Sequence, residues 1–114
     1  MAIQQWSESI TVVELSDEPM LSEDLVGLLE DYESNPTHVV LNFATVGFIS
    51  SSALSKLLRI RQLSVSRHRR LVLANVRSQT WGVFLTTGLD KIFEFTNDIS
   101  TALAALQLGM ATPK

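Results

Sequence analysis

Cysteine is absent from the 114-residue chain, which removes disulfides, thiolate nucleophiles and cysteine metal sites together and points to a reducing compartment. Glycine is scarce. The five glycines are scattered singly, so no Gly-x-x-x-x-Gly-Lys-Ser/Thr loop, Gly-x-Gly-x-x-Gly turn or Gly-x-Ser-x-Gly elbow exists, and nucleotide hydrolysis, dinucleotide binding and α/β-hydrolase chemistry lose their sequence support. Histidine is limited to His38 and His68, neither with a second His or a carboxylate at metal-ligand spacing. Both read as structural, His38 solvated at a strand edge and His68 in a basic turn. The acidic pairs Asp17-Glu18, Glu23-Asp24 and Glu30-Asp31 fall on or beside a solvated helix, where charge is ordinary, and not in a cleft. The chain is therefore read as non-enzymatic, with no catalytic residue, metal or cofactor. It also lacks the ~20-residue apolar run of a membrane span, and Met-Ala-Ile-Gln-Gln-Trp is unlike a secretory signal. A cytoplasmic location without membrane insertion is the expectation.

Apolar residues make up 46% of the chain and charged residues 18%, enough to bury one core and too short a chain for two domains. A single α/β domain over 1–114 is expected, with its core at about 9–108 and a frayed tail at 109–114. The net charge of −3 conceals a sorting. Residues 1–50 hold nine acids and no Lys or Arg; residues 51–77 hold Lys56, Arg59, Arg61, Arg67, Arg69, Arg70 and Arg77 with no acid. Mutual neutralisation of adjacent segments is the simpler explanation, and a basic face for an acidic partner or phosphate is the sharper one. Basic residues without interleaved aromatics in a net acidic chain argue against nucleic acid.

Strand and helix signals alternate. A β-branched run marks a strand over Ser9 to Leu15. Ser22 is placed to cap a helix built on Leu25, Leu28, Leu29 and Tyr32, which Asn35 and Pro36 stop. Val39 to Phe43 is almost wholly apolar, as a strand buried on both faces would be. A helix from about Ser52 to Ser66 turns Ala53, Leu54, Leu57, Leu58, Ile60 and Val65 toward the sheet, with Arg61 a misfit that must snorkel. Its opposite ridge is Ser52, Lys56, Arg59 and Leu63. Residues 67–70 form a basic turn and 71–75 the next strand. A helix over 78–87 packs through Trp81, Phe84 and Leu85 and ends at Gly88. Ile92 to Phe95 is a brief strand, and a last helix is capped by Asn97 or Asp98. This order predicts a mostly parallel sheet of four to five strands with crossover helices.

The serine triplet Ser50-Ser51-Ser52 sits between a buried strand and a helix start. Serines there cap the helix, and a phosphate there would meet unpaired N–H groups and the positive end of the dipole. Val39-Val-Leu-Asn-Phe-Ala-Thr-Val-Gly-Phe-Ile-Ser-Ser-Ser-Ala-Leu54 resembles the signature of STAS domains, the anti-sigma factor antagonist family. Thr87-Gly-Leu-Asp-Lys-Ile-Phe93 resembles a second segment of that family, in register. The departures are Asn42 and Ser50 in place of acids and Ala53 in place of glycine.

The resemblance implies a partner switch. An unphosphorylated domain binds an anti-sigma factor or serine-kinase-like regulator, and phosphorylation of Ser52, or of Ser51, releases it. The implied partner-binding residues are Ser50, Ser51, Ser52, Lys56, Arg59 and Leu63. The alternative within the family is a non-phosphorylated scaffold or accessory subunit of a stressosome-like or lipid-transport complex. Homodimerisation stays open.

Overall fold

A computed structural model describes residues 1–111. Five strands and four helices alternate: β1 (Ala2–Gln5), β2 (Ile10–Glu14), α1 (Met20–Ser34), β3 (His38–Asn42), α2 (Ser51–Ser66), β4 (Leu71–Ala74), α3 (Ser78–Thr87), β5 (Glu94–Thr96) and α4 (Ile99–Ala111), with a 3₁₀ turn over Leu89–Lys91 before β5. The strands lie in one sheet in the order β1-β2-β3-β4-β5. Strands β2 to β5 pair in parallel, and β1 lies antiparallel along β2. The expected α/β architecture is the one observed.

Each central strand sends alternate side chains to opposite faces. Val13, Val39, Leu41, Leu71 and Leu73 join the larger core with α1, α2 and α3, where Leu25, Leu57, Ile60 and Phe84 are fully buried. Ile10, Val12, Val40, Val72 and Ala74 meet α4 through Ala102 and Leu106. A sheet covered on both faces needs apolar residues at every position, which is why β3 and β4 read as unbroken apolar runs.

Several expectations are corrected. The sheet begins at Ala2, before the first expected strand, because β1 is exposed at every position and offers no alternating signal. Helix α1 starts at Met20 with Pro19 at its cap position, and Ser22 makes no cap, its hydroxyl donating instead to Glu18 Oε1 (3.3 Å). In α2 the inward stripe is Ala53, Leu57, Ile60 and Ser64. Ser64 takes the place expected of Val65 by donating its hydroxyl to the Ile60 carbonyl (2.9 Å), so burial leaves no polar atom unpaired, while Val65, turned 100° away, is 57% exposed. Leu63 flanks that stripe and is half-buried against the core, so it does not stand on the outer ridge. Arg61 does snorkel, its Nε donating to the Ile92 carbonyl (3.1 Å). In α3 the buried residues are Thr80 and Phe84, and Leu85 points out at 51% exposure. Strand β5 begins two residues later than expected, after the 3₁₀ turn. Helix α4 is capped by Asp98, which accepts from Thr101 N (2.7 Å), and continues through 109–111 where fraying was expected; residues 112–114 of that tail lie outside the described residues.

His38 is buried and not solvated. Its Nδ1 accepts from the Arg70 N–H (2.9 Å) and therefore must be unprotonated. Burial, aided by the Arg69 and Arg70 charges, holds its pKa below the ordinary 6.5. The unfolded chain then takes up this proton first, so the contribution to stability is complete above pH 6.5 and declines as pH falls through the lower folded-state value. We expect the melting temperature to fall between pH 7 and pH 5, and His38→Asn, whose Oδ1 can accept the same N–H, to flatten that part of the profile. An unchanged profile in the variant would remove His38 as the cause.

Candidate functional site

The serine triplet lies at the carboxyl end of β3, where the chain turns through residues 43–50 into α2. Its first member makes the cap: Ser50 Oγ accepts from Ala53 N (3.1 Å), leaving Ser51 and Ser52 exposed on the first turn. The three hydroxyls therefore do not share the capping role. Ala53, where the STAS signature has glycine, is fully buried in the core beneath them. Asn42, where the signature has an acid, uses Oδ1 to accept from Ala44 N (2.9 Å) and Asn75 Nδ2 (3.2 Å), tying the ends of β3 and β4.

The acids at this loop come from elsewhere in the chain. Asp17 Oδ1 accepts from Gly47 N (3.1 Å) and Phe48 N (3.3 Å), and Glu18 Oε2 accepts from Ser50 N (3.1 Å). The N–H of Glu18 itself, then those of Gly47 and Phe48, and the Arg77 charge hold the Asp17 carboxyl below its usual range despite some desolvation. For Glu18, burial works upward, but hydrogen bonds from Ser50 and Ser22 outweigh it and the net direction is down. Both groups are thus ionised and tie the loop to the start of α1. In the sequence this pair reads as ordinary surface charge, because its partners lie about 30 residues away and no local pattern announces them.

What the tied loop presents is Phe48, 62% exposed although its backbone is held. Beyond it the outer ridge of α2 carries Ser52, Lys56 and Arg59. Lys56 Nζ donates to Ser52 Oγ (2.7 Å) and lines an open groove of about 430 Å³ between α2 and α1, whose other wall holds Glu23 and Glu30. Helices α1 and α2 pack side by side, yet no ion pair within 4 Å joins an acid of residues 1–50 to a Lys or Arg of residues 51–77. The sorted charges are neighbours without being matched partners. Among the described residues no cluster of His, Asp or Glu could hold a metal, and no helix is long and apolar enough to cross a membrane.

The STAS domain family model matches residues 2–102. The chain belongs to the STAS domain family. Solved STAS-like structures share its fold. An anti-sigma-factor antagonist (STAS) domain protein from Planctomyces limnophilus matches with a TM-score of 0.77 at 18% identity, covering 93% of this chain and 97% of that one. The anti-sigma factor antagonist SpoIIAA in its unphosphorylated form gives 0.71 at 15%, over 97% and 98%. A sulfate transporter family protein from Wolinella succinogenes gives 0.74 at 20%, over 91% and 88%. At these identities the likeness is one of fold. No curated protein sequence is significantly similar to this STAS domain.

Proposed function

We propose that this STAS domain is a non-enzymatic protein-docking module of the anti-sigma factor antagonist kind, with the 46–52 loop and the Ser52, Lys56, Arg59 ridge as its interface. The observation that carries the reading is Phe48, a large apolar side chain held outward on a backbone that two carboxylates tie down. An aromatic ring presented on an ordered loop binds at low entropic cost and is the kind of residue that dominates interface energy. Lys56 and Arg59, unmatched among the described residues by any carboxylate within 4 Å, suit an acidic partner surface and speed its approach.

Phosphorylation of Ser52 would act on this surface directly. The hydroxyl is exposed, so a serine-kinase-like partner can reach it, and a phosphate adds about −1.5 to −2 charges one helical turn from Lys56. It would draw the ammonium to itself and present strongly hydrated negative charge to an acidic partner. Ser51, equally exposed, is the second candidate. Ser52→Asp should fold normally, because an acid suits the first turn of a helix, and should weaken binding of the cognate regulator by about tenfold or more in calorimetric titration. Unchanged affinity would contradict the switch.

The second reading is a docking module that is never phosphorylated. It is favoured by the neutral side chains at Asn42 and Ser50 and by a Ser52 hydroxyl already engaged by Lys56. Intact-mass measurement of protein from its native cells, with no added phosphate in any growth condition, would select it.

A further inference from the structure

Two features of the sequence have no part in the docking surface: the misfit Arg61 and the basic turn over 67–70. The fold brings them together. A cavity of about 180 Å³ lies between the last turns of α2, the start of β4 and the segment leading into β5, lined by Arg61, Ser64, Arg69, Arg70, Phe93 and Glu94 among others. Along the axis of α2, Arg61 is about 14 Å from Ser52, so the two regions are separate.

The charge balance of this cavity is uneven. Arg70 is matched, Nε and Nη2 donating to the two oxygens of Glu94 (3.1 and 2.6 Å) while Nη1 donates to the Ala105 carbonyl (3.2 Å). Arg61 Nε donates to the Ile92 carbonyl, and Arg69 Nε to the Pro36 carbonyl (3.3 Å). A carbonyl fixes a guanidinium in place without neutralising it. Among the described residues neither Arg61 nor Arg69 meets a carboxylate within 4 Å, so the lining described holds three cations and one anion, an excess of two positive charges. Guanidinium groups held by Nε with terminal N–H groups to spare suit the oxygens of a tetrahedral dianion, which accepts paired N–H donors.

We infer that this cavity is a binding site for a phosphoryl dianion, either inorganic phosphate or a small phosphomonoester, held by Arg61 and Arg69 and tuned by Glu94. Glu94 is paired with Arg70 and would oppose an incoming anion.

The test is titration of the full chain with inorganic phosphate and, separately, with O-phosphoserine, against sodium chloride at matched ionic strength, followed by NMR of the backbone amides and arginine Nε groups. Saturable shifts are expected at Arg61, Arg69, Arg70 and residues 92–94. The phosphomonoester saturating first would identify a carried phosphate, and inorganic phosphate first would identify the free ion. Arg61→Gln should weaken binding about tenfold, Glu94→Gln should strengthen it, and Arg59→Gln, which removes the same charge from the outer ridge, should leave it unchanged. Linear shifts shared with chloride, or equal losses in Arg59→Gln and Arg61→Gln, would overturn the assignment.

Discussion

Phe84→Ala is expected to destabilise the domain by roughly 3–5 kcal/mol in urea unfolding, a large part of the ~5–15 kcal/mol that folded domains have in total. Phe84 is fully buried where α3 meets the sheet, and its ring packs edge-on against Phe95 (5.1 Å), Phe93 (5.9 Å) and Phe43 (6.3 Å). Those rings come from β5, the segment before it and the loop after β3, so one truncation loosens three connections. The cavity left behind cannot collapse easily, since Phe43 is itself fully buried and Phe93 nearly so. Leu85→Ala, the next residue on the same helix, should change stability by no more than about 0.5 kcal/mol because that side chain faces solvent. Equal losses from the two substitutions would mean that α3 is turned differently about its axis.

The contrast between Phe84 and Leu85 illustrates how far the sequence could be read. Element order, parallel pairing and the buried central strands were legible because unbroken apolar runs and their capping residues are local signals. Orientation within a helix was legible only where apolar residues themselves carry the period. In α2 the buried position in the last turn is a serine, and in α3 a threonine precedes Phe84 on the inward face, its hydroxyl donating to the Val46 carbonyl (3.2 Å). Both polar groups are satisfied by the backbone, which hydropathy cannot register. Strand β1 was hidden because an exposed edge strand needs no apolar pattern, and His38 because the N–H that fixes it lies 32 residues away.

The site was legible in part for the same reason. The serine triplet and its resemblance to the STAS signature located the loop, but the side chains that hold it did not follow from any spacing. Asp17 and Glu18 reach across from the start of α1, so a segment with neutral residues at 42 and 50 still has acids fixing its backbone. The outward position of Phe48 is not legible in the sequence, since one phenylalanine in an apolar stretch is indistinguishable from a core residue. Its exposure is a tertiary fact.

Phe48→Ala is accordingly the substitution with the largest expected effect on docking. The side chain is mostly exposed, so removing it should leave the fold and the melting temperature nearly unchanged. In the proposed docking it would be the aromatic anchor, and truncation of such residues costs about 2 kcal/mol or more, roughly a thirtyfold loss of affinity. Lys56→Ala and Arg59→Ala should instead act mainly on the association rate and its salt dependence, as charges at an interface rim do.

The decisive measurement is calorimetric titration of the cognate regulator with the wild-type domain and with Phe48→Ala, both shown to unfold at the same temperature. Loss of at least about thirtyfold in affinity is the predicted result. Equal affinities for the two proteins would mean that partners meet this domain on some other face.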